Sequence, residues 1–262
     1  METHDNRVYL SQGQTLYFSA LRKADDWTTV NDSGSIIVET SDAYPITGLI
    51  AGSARLTVFK KNSIHELFGT NPSNFQMTTV TENIGCPTGN TAQVIEGVIY
   101  FLGNDAVYRY SGGSLPSSVF SEPIKKTLKT INKNYSYKSI SWNDGRKYYL
   151  GFPTGSNNYP DTFLEYDTMY GTWNTWTFNY PPTTSGVLYD GNVYLGHLNS
   201  GIVKLDPTAQ MDTIFLGNFG ISYEWTSKPF TFSSMAAKTR WFKLWLSANV
   251  PNGTTLTVSL AS

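Results

Sequence analysis

The chain has 262 residues, with 19 Lys plus Arg against 20 Asp plus Glu, a formal net charge of −1 and a pI of about 6.3. Charged residues and aromatics each make up 15 % of it, a balance that excludes an intrinsically disordered chain and a protein that binds nucleic acid over its whole surface by charge. Its one cysteine, Cys86, excludes a disulfide framework and any zinc site built on several thiolates.

The N-terminal stretch METHDNRVYLSQGQ lacks a basic region followed by an apolar run, so no secretory signal is expected. Beyond it, short runs rich in Val, Ile, Tyr, Phe and Thr alternate with Gly, Asn, Asp, Ser and Pro, which predicts strands joined by tight turns. No run of about 18 apolar residues occurs, and no membrane span is expected.

The predicted hairpins repeat. The first is RVYLSQGQTLYFSA (Arg7–Ala20), followed by RLTVFKKNSIHELFG (Arg55–Gly69) and GVIYFLGNDAVYRYSG (Gly97–Gly112). A fourth joins RKYYLGF (Arg146–Phe152) to TFLEYD (Thr162–Asp167), and a fifth is GNVYLGHLNSGIVKLD (Gly191–Asp206). Anchored on Tyr9, Phe59, Tyr100, Tyr149 and Tyr194, they recur at spacings of 50, 41, 49 and 45 residues. An all-strand repeat of that length predicts an all-β fold, a β-propeller of five or six blades, in preference to a two-sheet sandwich. The expected organisation is a propeller over residues 1–232, with Thr213–Phe232 supplying a last blade. A C-terminal β-hairpin over 233–262, pairing Trp241–Val250 with Thr254–Leu260, either closes the ring or begins a second domain.

One short helix is predicted over Ser121–Ile131. Ser121 is placed as its cap and Pro123 in its first turn, with Ile124, Leu128 and Ile131 on one face. Lys125, Lys126, Lys129, Lys133 and Lys138 form a basic cluster on and after it, with Tyr135 and Tyr137 between. A solvated helix face accounts for the lysines, although basic residues interleaved with aromatics can also hold a phosphate backbone.

The search for catalytic chemistry assigns no catalytic, cofactor-binding or metal-ligating residue. His65–Glu66 has no second histidine at zincin spacing and reads as strand, while His197 reads as a turn residue. Cys86 has no neighbour to lower its pKa and reads as an inert thiol. Asp161, Glu165 and Asp167 are close in sequence, as are Asp25 and Asp26, but nothing in the pattern makes two carboxyls converge as a glycosidase requires. The aromatics around Trp173, Trp176, Tyr159, Tyr166, Tyr170 and Tyr180 read as packing between blades rather than as sugar-stacking platforms. The loops around Tyr159 and Trp173 are the expected partner contacts.

Several segments resemble the β-propeller domains of bacteriophage tail proteins, such as the nozzle (tail tubular protein B) and stabilisation proteins of short-tailed phages. They are NRVYLS (Asn6–Ser11), LYFSA (Leu16–Ala20) with Asp26-Trp27, ITGL (Ile46–Leu49), LTVFKKNSI (Leu56–Ile64), IGCP (Ile84–Pro87), VIYFLG (Val98–Gly103), VYRYSGG (Val107–Gly113) and SEPI (Ser121–Ile124). The match covers roughly residues 6–180; the piece YDTMYGTWNTW (Tyr166–Trp176) also resembles a single kelch repeat. The resemblance implies a non-enzymatic virion structural protein of the tail or head-tail connection, made in the host cytoplasm and using no cofactor. Its implied partners are other tail or portal/adaptor subunits in a symmetric homo-oligomer, with transient contact to genomic DNA. A carbohydrate-binding or glycosidase propeller for host-surface recognition is the alternative.

Overall fold

Alternating side chains and polar turns shape the chain into successive antiparallel meanders. The computed structural model describes residues 1–40, 43–52, 54–178, 181–197, 201–206, 211–214 and 217–220. Sheet I contains β1 (Glu2–His4), β2 (Arg7–Gln12), β3 (Thr15–Phe18) and β4 (Gly34–Ile37), in chain order. Sheet II follows with β5 (Ile46–Ala51), β6 (Leu56–Lys60), β7 (Ile64–Phe68) and β8 (Gln76–Thr81). Sheet III has β9 (Gln93–Ile95), β10 (Val98–Leu102) and β11 (Val107–Tyr110), with an isolated bridge from Arg109 to Ser117 in place of a fourth strand. Sheet IV is β12 (Ile140–Asn143), β13 (Lys147–Phe152), β14 (Thr162–Asp167) and β15 (Thr172–Trp176). Sheet V is β16 (Val187–Tyr189), β17 (Asn192–His197) and β18 (Gly201–Leu205).

The five repeated hairpins of the sequence are the pairs β2–β3, β6–β7, β10–β11, β13–β14 and β17–β18. The turn that enters each pair differs between alternate sheets. In sheets I, III and V it has two residues, Asp5-Asn6, Glu96-Gly97 and Asp190-Gly191, all at positive φ. This is the left-handed geometry that matches the twist of a hairpin. Sheets II and IV use four-residue loops instead, closed by the pairs Ala51–Leu56 and Asn143–Tyr148.

Each sheet packs face to face on the next one in the chain. Tyr9, Leu16 and Phe18 of sheet I meet Leu49, Leu56 and Val58 of sheet II. On the opposite face of sheet II, Phe59 and Ile64 meet Ile99, Phe101 and Tyr110 of sheet III. Tyr100 and Leu102 then point the other way, onto Tyr148, Leu150 and Leu164 of sheet IV. Trp142, Tyr149 and Phe163 continue onto Val193 and Leu195 of sheet V. Strand side chains alternate between faces, and here both sets are apolar because both faces of sheets II, III and IV are covered. The anchors Tyr9, Phe59, Tyr100 and Tyr149 all lie on the face turned toward the following sheet.

The helix departs from the expectation. Val119–Ile124 is a 3-10 helix, and only Lys125–Leu128 forms an α-helical turn, α1. Ser121 lies inside the 3-10 segment, where its hydroxyl donates to the Ser118 carbonyl, and no side chain caps either piece. Uncapped and so short, this helix depends on tertiary burial. Ile124, Leu128 and Ile131 supply it, all buried against sheets III and IV as their spacing predicted.

The described fold divides into two compact units, Met1–Asp206 and Pro207–Ser262. In the second, β19 (Met211–Ile214) pairs antiparallel with β20 (Gly217–Gly220). The boundary expected after residue 232 and the hairpin of Trp241–Val250 with Thr254–Leu260 lie outside the described residues. Thr213–Phe232 is described only at 213–214 and 217–220.

Candidate functional site

The carboxylates that could have formed an acid pair lie in sheet IV. Glu165 and Asp167 are two residues apart on β14, on one face, and both are buried. Glu165 Oε1 accepts from the Lys147 ammonium at 2.8 Å and from the Asn174 amide at 3.1 Å, while Oε2 accepts from the Trp176 indole N–H at 2.7 Å. Asp167 Oδ2 accepts from the Arg146 guanidinium, and its Oδ1 accepts from the backbone amides of Met169 and Tyr170. Burial alone would raise the Asp167 pKa, but Arg146 and the two amides outweigh it and hold the carboxyl below its usual range. In the same cluster the Tyr149 hydroxyl donates to Asp144 Oδ2 at 3.0 Å. Burial, with Asp144 and Glu165 nearby, keeps that phenol protonated well above its ordinary range.

Every oxygen of these two carboxylates is therefore engaged by a strand neighbour, the Arg146 side chain of the entry loop or a turn amide. Such an arrangement fixes loop geometry and satisfies buried charge. Two cavities among the described residues, of about 300 and 270 Å³, are lined by neither carboxylate. Asp161 does not join them: its carboxylate accepts from the Thr154 amide and hydroxyl and from Asn157, stapling the β13–β14 loop. Asp26 organises its own turn, and hydrogen bonds from the Thr29 hydroxyl and the Thr28 amide lower its pKa.

The remaining sequence candidates are structural as well. His65 is buried on β7 between the Thr79 and Ser63 hydroxyls. His197, expected in a turn, is instead the last residue of β17 and pairs with Gly201. Cys86 is fully buried; its thiol donates to the Thr88 carbonyl, and burial pushes its pKa up to about 12. Among the described residues no group of three His, Cys, Asp or Glu side chains could hold a metal ion. Trp173 packs on the core between sheets III and IV and donates to the Phe120 carbonyl. Met169 and Tyr170 are exposed in the β14–β15 turn beside it, and Tyr159 is exposed in the β13–β14 loop at the opposite end of β14.

Sequence reasoning missed a second buried ion pair. Arg55, the last residue of the loop entering β6, donates to Glu66 on β7 at 2.6 Å, and Tyr110 of sheet III donates to the same oxygen at 2.6 Å. Arg146 stands in the corresponding loop of sheet IV, so both four-residue loops carry an arginine that closes on an acid of the second hairpin strand. An arginine just ahead of a repeated hairpin, with an acid near the end of its second strand, was the readable signal.

The basic cluster lies on and after α1. Lys125, Lys126, Lys129 and Lys133 are exposed, and Lys138 lies 4.0 Å from the Tyr159 ring centre and 5.3 Å from that of Tyr135.

No family model and no curated protein matches the chain. Among solved structures it is similar to the N-terminal domain of Nup159, at 12 % identity and a TM-score of 0.48 over 79 % of this chain and 59 % of that one. It is also similar to AztD from Citrobacter koseri, at 9 % identity and a TM-score of 0.44 over 85 % of this chain and 59 % of that one. Hsv2 from Kluyvelomyces marxianus aligns at 10 % identity and a TM-score of 0.44, over 84 % and 64 %. The chain thus spans about three-fifths of the length of these structures.

Proposed function

We propose that this chain is a β-propeller whose sheets I to V are five of its five or six blades, and that it serves as a non-enzymatic structural component of a bacteriophage tail or head-tail connection. The observation that carries the reading is the stack itself. The segments that resemble phage tail propellers, NRVYLS, LTVFKKNSI and VIYFLG, carry β2, β6 and β10, middle strands of consecutive sheets that pack face to face in chain order. Both terminal faces are apolar, with Ile37 exposed on sheet I and Val187, Tyr189 and Ile202 exposed on sheet V. Blades at a seam of a ring present such faces to a further blade. A stiff stack of this kind suits docking of neighbouring subunits, and the engagement of Glu165 and Asp167 fits a scaffold.

Negative-stain electron microscopy and light scattering of the purified protein, run beside a glycan array with a hydrolysis assay, test this reading. Cyclic oligomers without glycan turnover are expected. Hydrolysis of a bacterial polysaccharide that is lost in Glu165→Gln would replace the structural role with the glycosidase one.

A further inference from the structure

We propose that the surface formed by α1 and the segment after it, from Lys125 to Lys138, binds the phosphodiester backbone of a nucleic acid, with Tyr137 and Tyr159 available to unstacked bases. The argument rests on this surface alone and does not depend on the virion reading. Between Glu122 and Asp144 the chain carries five lysines and no acidic residue, in a protein of net charge −1. Folding brings Lys125, Lys129 and Lys133 to one cavity, while Ile124, Leu128 and Ile131 are buried in the core.

Lysines on a protein surface usually sit beside carboxylates, and here few do. Glu122 pairs with Lys125 at 3.0 Å. Among the described residues Lys126, Lys129, Lys133 and Lys138 form no ion pair. The other nearby acids are already engaged, Asp105 by the Tyr108 hydroxyl and Asp161 by Thr154 and Asn157. Lys125, Lys129 and Lys133 rim a cavity of about 270 Å³ whose floor is Leu102, Leu128 and Ile131, with Asp105 at its edge. A cationic rim over an apolar floor suits a phosphate next to a sugar or base edge.

The aromatic half of the surface stands beside it. Tyr137 is 61 % exposed and Tyr159 39 % exposed, with the Lys138 ammonium over the Tyr159 ring. Proteins that hold single strands combine a basic track with aromatic rings on which bases stack, whatever the sequence. Sulfated polysaccharides match the charge but gain less from stacking, so a nucleic acid is the occupant that uses both features.

Fluorescence anisotropy with a labelled 20-nucleotide single strand, the matching duplex and heparin tests the assignment between 50 and 200 mM salt. The wild type should bind single-stranded DNA with an affinity that falls as salt rises. Lys126→Gln/Lys129→Gln, which removes two side chains without hydrogen bonds of their own, should weaken binding about tenfold. With Lys133→Gln added, the triple variant should have a salt slope flatter than the wild type's by about two, at about 0.7 per neutralised phosphate. Tyr137→Ala should weaken the single strand about fivefold or more and leave the duplex unchanged. Lys23→Gln/Lys204→Gln, the same charge change elsewhere, should have no effect. Duplex binding that the lysine variants weaken and Tyr137→Ala spares would keep the phosphodiester site. The proposal is overturned if neither DNA binds at 50 mM salt, if only heparin binds, or if the control pair weakens binding as much as the lysine pair.

Discussion

Arg55 donates to the Glu66 carboxylate at 2.6 Å across the mouth of the β6–β7 hairpin. The same closure recurs two sheets later between Arg146 and Asp167. In both, an arginine in the four-residue entry loop reaches an acid on the second strand of the pair, on the face turned toward the next sheet. Sheets I, III and V enter their hairpins through left-handed two-residue turns instead, and in sheet I the buried Arg7 at the start of β2 pairs with Asp32 at 2.7 Å.

Gly112 depends on that clamp. Its φ is +86°, and a Cβ there would lie 1.6 Å from a guanidinium nitrogen of Arg55. Gly112→Ala should therefore both strain the backbone and push Arg55 off Glu66 and the Ser111 carbonyl. A loss of about 1–3 kcal/mol is expected in urea unfolding. An unchanged midpoint would mean that the Arg55–Glu66 contact does not hold the loop.

Leu128→Ala tests whether the short helix belongs to the core. Leu128 is buried among Tyr148, Leu150 and Leu164, and truncation should cost about 2–4 kcal/mol. A change within about 0.5 kcal/mol would place the helix outside the cooperative core.

The two-residue turns offer a stabilising change. Glu96 adopts φ +51° ahead of Gly97, a conformation that Asn tolerates better than Glu. Glu96→Asn should raise stability by about 0.5 kcal/mol, seen as a higher Tm. A lower Tm would contradict the turn assignment.

Stability should fall at both ends of the pH scale. Burial raises the pKa of Tyr9 and Tyr108 from 10.0 to about 12 and that of Cys86 from 9.0 to about 12. The folded state thus holds protons that the unfolded chain releases. This contribution is complete below pH 9 and is lost as the pH rises toward 12. Asp32, through its hydrogen bond from Arg7, and Asp26, through Thr29, are lowered below 3.8. Their contribution is present above that pH and is lost as the pH falls below it. Thermal melts from pH 3 to 11 should show a plateau with a decline on each side, and a Tm that keeps rising above pH 10 would contradict the burial of the phenols.

The five central hairpins were legible because apolar alternation and polar turns are local signals, and Tyr9, Phe59, Tyr100 and Tyr149 marked equivalent positions. The outer strands β1, β4, β8, β9 and β16 were not read, since three of them have only three residues and the others carry few buried side chains. The turn pairs Glu96-Gly97 and Asp190-Gly191 would have located β9 and β16. The helix was read too long because its apolar spacing continues through Ile131, while the backbone keeps a helical path for only part of that span. The ionic partners of Glu165 were invisible for another reason. Lys147 and Trp176 reach it from neighbouring strands, and only register places them there.

An electron cryo-microscopy reconstruction of the purified protein tests the central claim most directly. Consecutive antiparallel sheets around one axis, in the order I to V, within subunits that assemble as a cyclic oligomer, are the expected result. Two sheets packed as a sandwich, or a monomer with a glycan held at Glu165 and Asp167, would contradict it.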